Sequence, residues 1–181
     1  MPFNLLKKYP ELLELNGLDV KSRNLSLRNI FDRDIADNIN FLFNGYRIYP
    51  IKADGMLDMN REFTHLTTEE VEELDENGKS FHHRVYDKYR SERLHWIKVH
   101  VDNEVNDSDI TVFSVKERNQ RKRTDIVRTY IYNQTRKYVI VLEPQTRNKQ
   151  SYYLLTAYYL NKKYGEKQIK KKLKARLQTI L

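Results

Sequence analysis

The chain has 181 residues and a formal charge of +8, long enough for one domain with a buried core. It has no cysteine, which excludes a disulfide scaffold, a thiolate metal site and a cysteine nucleophile. No apolar stretch approaches membrane-spanning length and no signal-peptide pattern opens the chain, so a soluble, cytoplasmic protein is expected.

Leu5, Leu6, Tyr9, Leu12, Leu13 and Leu15 are spaced for a helix face that Pro10 interrupts. Ser26 reads as the cap of a second helix carrying Leu27, Ile30, Phe31 and Ile35. Phe41 to Ile51 reads as a strand or extended pair, with Asn44-Gly45 as a turn. Glu69, Glu70, Glu72, Glu73, Asp75 and Glu76 form an acidic patch that ends at the loop signal Asn77-Gly78. The patch reads as solvated surface; the alternative is that it holds the basic C-terminal helix until nucleic acid competes.

Residues 84–101 are the longest helical candidate, with Tyr86, Tyr89, Arg90, Arg93, Leu94, Ile97 and Val101 on one face. The arginines are anomalous there, because a core face should not carry unpartnered charge. Asp87 and Glu92 are their nearest candidate partners. Four strands follow, over 109–115, 126–132, 138–143 and 151–160, joined by connections short enough for a meander. A helix after Gly165 places Ile169, Leu173, Leu177 and Ile180 on the face that docks on the sheet. The expected fold is α+β: N-terminal helices, a four-stranded antiparallel meander and a C-terminal basic helix. Residues 1–83 are expected as an extension packed on a core of 84–181.

The charge is segregated. Residues 161–181 hold eight Lys/Arg against one Glu, a net +7, so residues 1–160 sum to +1. The loop Lys116 to Arg123 adds five basic residues, including Arg118, Arg121, Lys122 and Arg123, against Glu117. Such runs serve solubility or phosphate binding, and segregation favours phosphate.

Three constellations could carry chemistry. Arg90, Arg93, His95, Lys98 and His100 surround Trp96; Arg128 shares a strand face with Tyr130; Thr156 shares one with Tyr158. Glu143 is the carboxylate at the end of the third strand. Histidine suits proton transfer near neutral pH and arginine grips phosphate oxygens bidentately. Together they suit metal-free phosphodiester cleavage in RNA. Each residue also has a structural reading: a packed histidine, an ion-paired arginine, a β-forming threonine, or tyrosines that pack rather than stack bases. His82-His83 lacks zinc-site spacing, so no metal and no cofactor are expected.

The segments Arg90-Ser91-Glu92-Arg93-Leu94-His95-Trp96-Ile97-Lys98, Arg128-Thr129-Tyr130-Ile131, Tyr138 to Gln145 and Tyr152-Tyr153-Leu154-Leu155-Thr156-Ala157-Tyr158-Tyr159 resemble phage- and prophage-encoded nucleases of the barnase–EndoU–colicin–RelE-like superfamily. The resemblance covers about residues 84–176. It implies a metal-independent endoribonuclease, a toxin or phage–host conflict effector among its settings, acting on RNA such as tRNA or mRNA. Arg93 would be the helix-borne cation and Thr156 the sheet-borne polar residue, with Arg128 and Glu143 beside them. His95, His83 or His100 would be the general base. Arg90, Lys98, His100, Arg118, Arg121, Lys122, Arg123, Tyr130 and Tyr158 would hold the nucleic acid. An inhibitor or immunity protein is a candidate partner, and no membrane contact is expected. The rival readings are a non-catalytic RNA- or DNA-binding module and a protein-interaction domain.

Overall fold

A computed structural model describes residues 2–50, 52–53, 56–119, 123–145, 151–161 and 163–181. Ile51, Arg121, Lys122 and Lys162 lie outside the described residues.

The N-terminal segment is not the expected amphipathic α-helix. It is a short 3-10 helix over Pro2–Leu6, then an irregular run to helix α1, Val20–Phe31. Asp19, not Ser26, caps α1 by accepting from the Ser22 N–H at 3.0 Å. Ser26 lies buried inside α1, where its hydroxyl accepts from Asn4 Nδ2. A π-helical turn, Asp32–Ala36, extends α1. Strands β1 (Leu42–Phe43) and β2 (Tyr46–Tyr49) form a hairpin. Its turn, Asn44-Gly45, takes positive φ at both residues, the conformation tight hairpins require. The short pair β3 (Lys52–Ala53) and β4 (Met56–Leu57) precedes helix α2, Met59–Thr67. Glu69, Glu70, Glu72 and Glu73 of the acidic patch lie on β5 (Thr68–Leu74), and Asp75 and Glu76 follow it; β5 pairs with β6 (Ser80–Tyr86) through the Asn77-Gly78 turn.

The 84–101 helix is corrected. Its first residues end β6, and the rest forms α3 (Lys88–Ser91) and α4 (Trp96–Val101) around a turn. Asp87 caps α3 by accepting from the Arg90 N–H, and this cap fixes the helix start beyond the strand. Four long strands follow: β7 (Ile110–Asn119), β8 (Thr124–Asn133), β9 (Tyr138–Gln145) and β10 (Ser151–Tyr159). Helix α5 covers Lys163–Lys174.

The four-stranded meander is also corrected. The main sheet has six strands in the order β1-β2-β10-β9-β8-β7, and it is mixed, because β2 runs parallel to β10. The added hairpin carries Phe43 and Ile48 into the core, where Phe43 meets Tyr152 edge-on at 5.1 Å. Burying those side chains is the gain that recruits the N-terminal strands. The pairing is brief: Ile48 with Tyr152 and Tyr49 with Tyr153. Beyond Tyr153, α2 and α3 lie against β10.

Each sheet face has its own core. One face packs Trp96, Ile97, Ile131, Tyr138, Ile140 and Leu142 against Leu13, Leu27, Ile30 and Phe31, so residues on both sides of position 83 share it. The other face packs Phe113, Val115, Tyr130, Tyr132, Val139 and Val141 under Ile169 and Leu173 of α5. Beyond α5 the chain crosses the β7 edge, where the Leu177 N–H donates to Ser114 O at 2.8 Å.

One irregularity in β10 decides the site. The register with β9 runs Leu154 to Leu142, then Thr156 to Val141, so Leu155 is the extra residue of a bulge. Leu154 and Ala157 therefore share one core, while Leu155 and Tyr158 pack against the other. Without the bulge, Thr156 would face the same way as Leu154. With it, Thr156 turns to the face of Tyr158.

Candidate active site

Arg90 is held by three partners. Its Nε donates to Asp87 Oδ2 at 3.0 Å, and its Nη1 donates to His65 O and to Thr156 Oγ1, both at 3.1 Å. Its guanidinium also lies 5.8 Å from the Tyr158 ring centroid. The residue that caps α3 thus also orients the first cation of the site.

Beside this pair opens a cleft of about 440 Å³, lined by Arg61, Thr64, His65, Glu70, His82, His83 and Arg84. Arg61 and His65 are four residues apart on α2 and so share a face. Arg84 lies opposite Glu70 in the β5–β6 register, with His83 opposite Val71 and His82 opposite Glu72. Arg84 is fixed by Nε on Thr68 Oγ1 at 2.8 Å and Nη2 on Thr68 O at 2.9 Å. Burial, then the charges of Arg84, Arg61 and Arg90, hold His65 below the ordinary histidine pKa; Glu70 opposes them. Burial and Arg90 likewise lower Arg84. His82 Nδ1 lies 3.8 Å from Glu70 and His83 Nε2 lies 3.7 Å from Glu73. Such a concavity favours an anion.

The sequence-based site residues scatter. Arg93 is 8% exposed and turns to the opposite face of β10 from Thr156. Its Nη1 donates to Tyr89 O at 2.9 Å, its guanidinium lies 4.1 Å from the Tyr159 ring centroid, and its Nε has no partner. Burial lowers its pKa. His95 is 4% exposed, and burial pushes its pKa down to about 4. His100 is also buried. Its Nδ1 bonds Trp96 O at 2.8 Å, and its Nε2 accepts from Asn133 Nδ2 at 3.1 Å. Trp96 O takes the Nδ1–H and Asn133 donates to Nε2, which together fix a neutral Nδ1–H tautomer, so His100 is a structural histidine. Asn133 extends the network to Asp107 and Tyr9.

Lys98 pairs with Asp102 and, with His95, lines a separate cleft under the N-terminal segment. Arg128 pairs with Glu117 at 3.0 Å, and Tyr130 donates to the same carboxylate at 2.6 Å. Lys172 of α5 completes that cluster by donating to Glu117 and, at 2.9 Å, to Tyr130. Arg128, Tyr130 and Lys172 therefore anchor α5. Among the described residues, the other α5 ion pair joins Glu166 to Lys137, and neither pair reaches the acidic β5. Glu143 accepts from Gln145 Nε2 at 3.3 Å, opposite Tyr153. Arg118 pairs with Asp125, and Arg123 is exposed at the β7–β8 turn.

Of the residues singled out in the sequence, Arg90, Thr156, Tyr158 and His83 come to this region. Sequence reasoning missed Arg61, His65 and Arg84. The i, i+4 spacing of Arg61 and His65 was a usable signal; the placement of Arg84 beside them depends on the β5–β6 hairpin. Among the described residues, no three His, Asp or Glu side chains converge to hold a metal ion. Among the described residues, no helix is long and apolar enough to cross a membrane. Comparison with family models, curated proteins and solved structures gives no match.

Proposed function

We propose that this chain is a metal-independent endoribonuclease whose scissile phosphate docks in the cleft between α2 and the β5–β6 hairpin. The observation that carries this reading is the convergence of Arg61, Arg84 and Arg90 on a half-buried histidine with a lowered pKa. Arg61 and Arg84 hold the phosphate oxygens, and Arg90 adds fixed positive charge beside Thr156. His65, kept neutral by its surroundings, takes the proton of the 2′-hydroxyl. The 2′-oxygen forms a bond to phosphorus, the bond to the 5′-oxygen breaks, and His83 delivers a proton to that leaving oxygen. The products are a 2′,3′-cyclic phosphate and a 5′-hydroxyl. The motif resemblance supports the same reaction and adds a toxin or phage–host conflict effector as its setting. Incubating the purified chain with total RNA in EDTA tests the proposal. Cyclic-phosphate ends that vanish with His65→Ala support it; RNA left intact by the wild type overturns it.

A second reading, a non-catalytic RNA-binding module, is favoured by the engagement of Arg84 and Arg90 in bonds within the protein. It predicts salt-dependent binding with no turnover.

A further inference from the structure

The far end of β10 carries a feature that the cleft does not use. Tyr89, the residue before Arg90, stacks on Tyr159 with ring centroids 5.7 Å apart and planes 28° apart. Tyr89 is 46% exposed, although Ser91 and Glu92 further along the same turn are buried. The assembly is held from within. Arg93 lies 4.1 Å from the Tyr159 ring and grips the backbone oxygen of Tyr89. The Trp96 ring centroid lies 5.2 Å from the same guanidinium. A buried guanidinium without a carboxylate partner is costly, and aromatic rings are the partners that offset it. Lys137 lies close enough to interact electrostatically with Tyr159, and Lys88 is exposed beside Tyr89.

We propose that the stacked Tyr89 and Tyr159 rings form a platform for an unpaired base, making single-stranded RNA the substrate class of the neighbouring cleft. The substrate part rests on the ribonuclease reading; the platform itself rests on geometry. Tyr159 is three residues beyond Thr156, about 10 Å along a strand. Tyr89 adjoins Arg90. The platform and the Arg90–Thr156 pair are thus carried by the same two elements, on opposite sides of β10, so one strand of nucleic acid meets both by crossing that strand. A free π-face accepts any base, and a ring already immobilised loses little freedom on stacking. A duplex keeps its bases inside and offers no face to Tyr89. The cations nearby attract the backbone without reading sequence.

The test is binding, by fluorescence anisotropy, of a 2′-O-methyl oligonucleotide as a single strand and as a duplex. This probe has no free 2′-hydroxyl and so cannot be cut by the proposed reaction. Wild type is expected to prefer the single strand. Tyr89→Ala should weaken single-strand binding about tenfold and leave duplex binding unchanged. Tyr89→Trp should restore it, which a merely structural role would not do. Equal single-strand affinity in wild type and Tyr89→Ala, or no binding by the wild type, overturns the platform. Binding that follows these expectations in a protein that never cleaves RNA overturns the ribonuclease reading alone.

Discussion

Arg90 Nη1 donates to Thr156 Oγ1 at 3.1 Å, while Arg93, three residues further on, turns to the other side of β10 and meets Tyr159 at 4.1 Å. The two arginines straddle one strand. The bulge at Leu155 determines which of them meets the hydroxyl. A double-mutant cycle on stability should therefore give a coupling of about 0.5–1.5 kcal/mol for Arg90 with Thr156. Arg93 and Thr156 should be additive.

Activity should divide the same way. Arg90→Met is expected to lower RNA cleavage about 100-fold, the scale of a lost transition-state cation or donor. Arg93→Met should leave a less stable protein whose folded fraction still cleaves. Single-turnover rates beside thermal melts check this; the opposite pattern would move the site to the Arg93 face.

The pH dependence of cleavage follows from His65. Its pKa lies below the ordinary value, so it remains an unprotonated base to lower pH than a free histidine. The acid limb of the rate profile should accordingly fall below the usual histidine range. Glu70 raises the His65 pKa. Glu70→Gln should shift that limb to still lower pH, as a pH–rate profile or an NMR titration of His65 would reveal.

Stability should also respond to acid, through His95. Its folded pKa of about 4 lies below the unfolded value, so the unfolded chain binds more protons in between. The contribution is present above the unfolded pKa and lost as pH falls toward the folded one. Between about pH 6.5 and 4 the loss reaches no more than about 3 kcal/mol. His95→Leu should flatten this part of the curve in denaturant melts, whatever its effect at neutral pH.

Glu117 anchors α5 through Lys172, with Tyr130 and Arg128 on the same carboxylate. Burial raises its pKa, but these partners together outweigh burial and leave it lowered. Glu117→Ala should cost about 2 kcal/mol, less than a fully buried pair, because the cations are partly in water. Amides of α5 should then exchange faster than those of β9, measurable by hydrogen exchange.

The long strands were legible because their apolar runs and turns are local signals. Tyr138 to Leu142 announces a central strand, and Asn44-Gly45 announces its own hairpin. The β2–β10 pairing was not legible, since it joins residues about a hundred positions apart through two residue pairs. The apparent helix over 84–101 arose because Tyr86, Arg90, Arg93 and Ile97 match a helical period across a strand end and a turn. The Asp87 cap, next to the strand, was the missed signal. Arg90 and Thr156 were both visible as unusual residues. The choice between Arg90 and Arg93 was hidden, because a one-residue bulge leaves no mark in composition.

The parallel seam between β2 and β10 also sets a schedule. A ribosome adding roughly 5–20 residues per second has finished the β1–β2 hairpin long before its sheet partner exists. The hairpin must wait for Tyr152 and Tyr153, and Arg90 must wait for Thr156. A nascent chain stalled anywhere before β10 therefore lacks the hydroxyl that holds Arg90. On the ribonuclease reading, Arg90 is anchored for the reaction only once nearly the whole sheet has been synthesised.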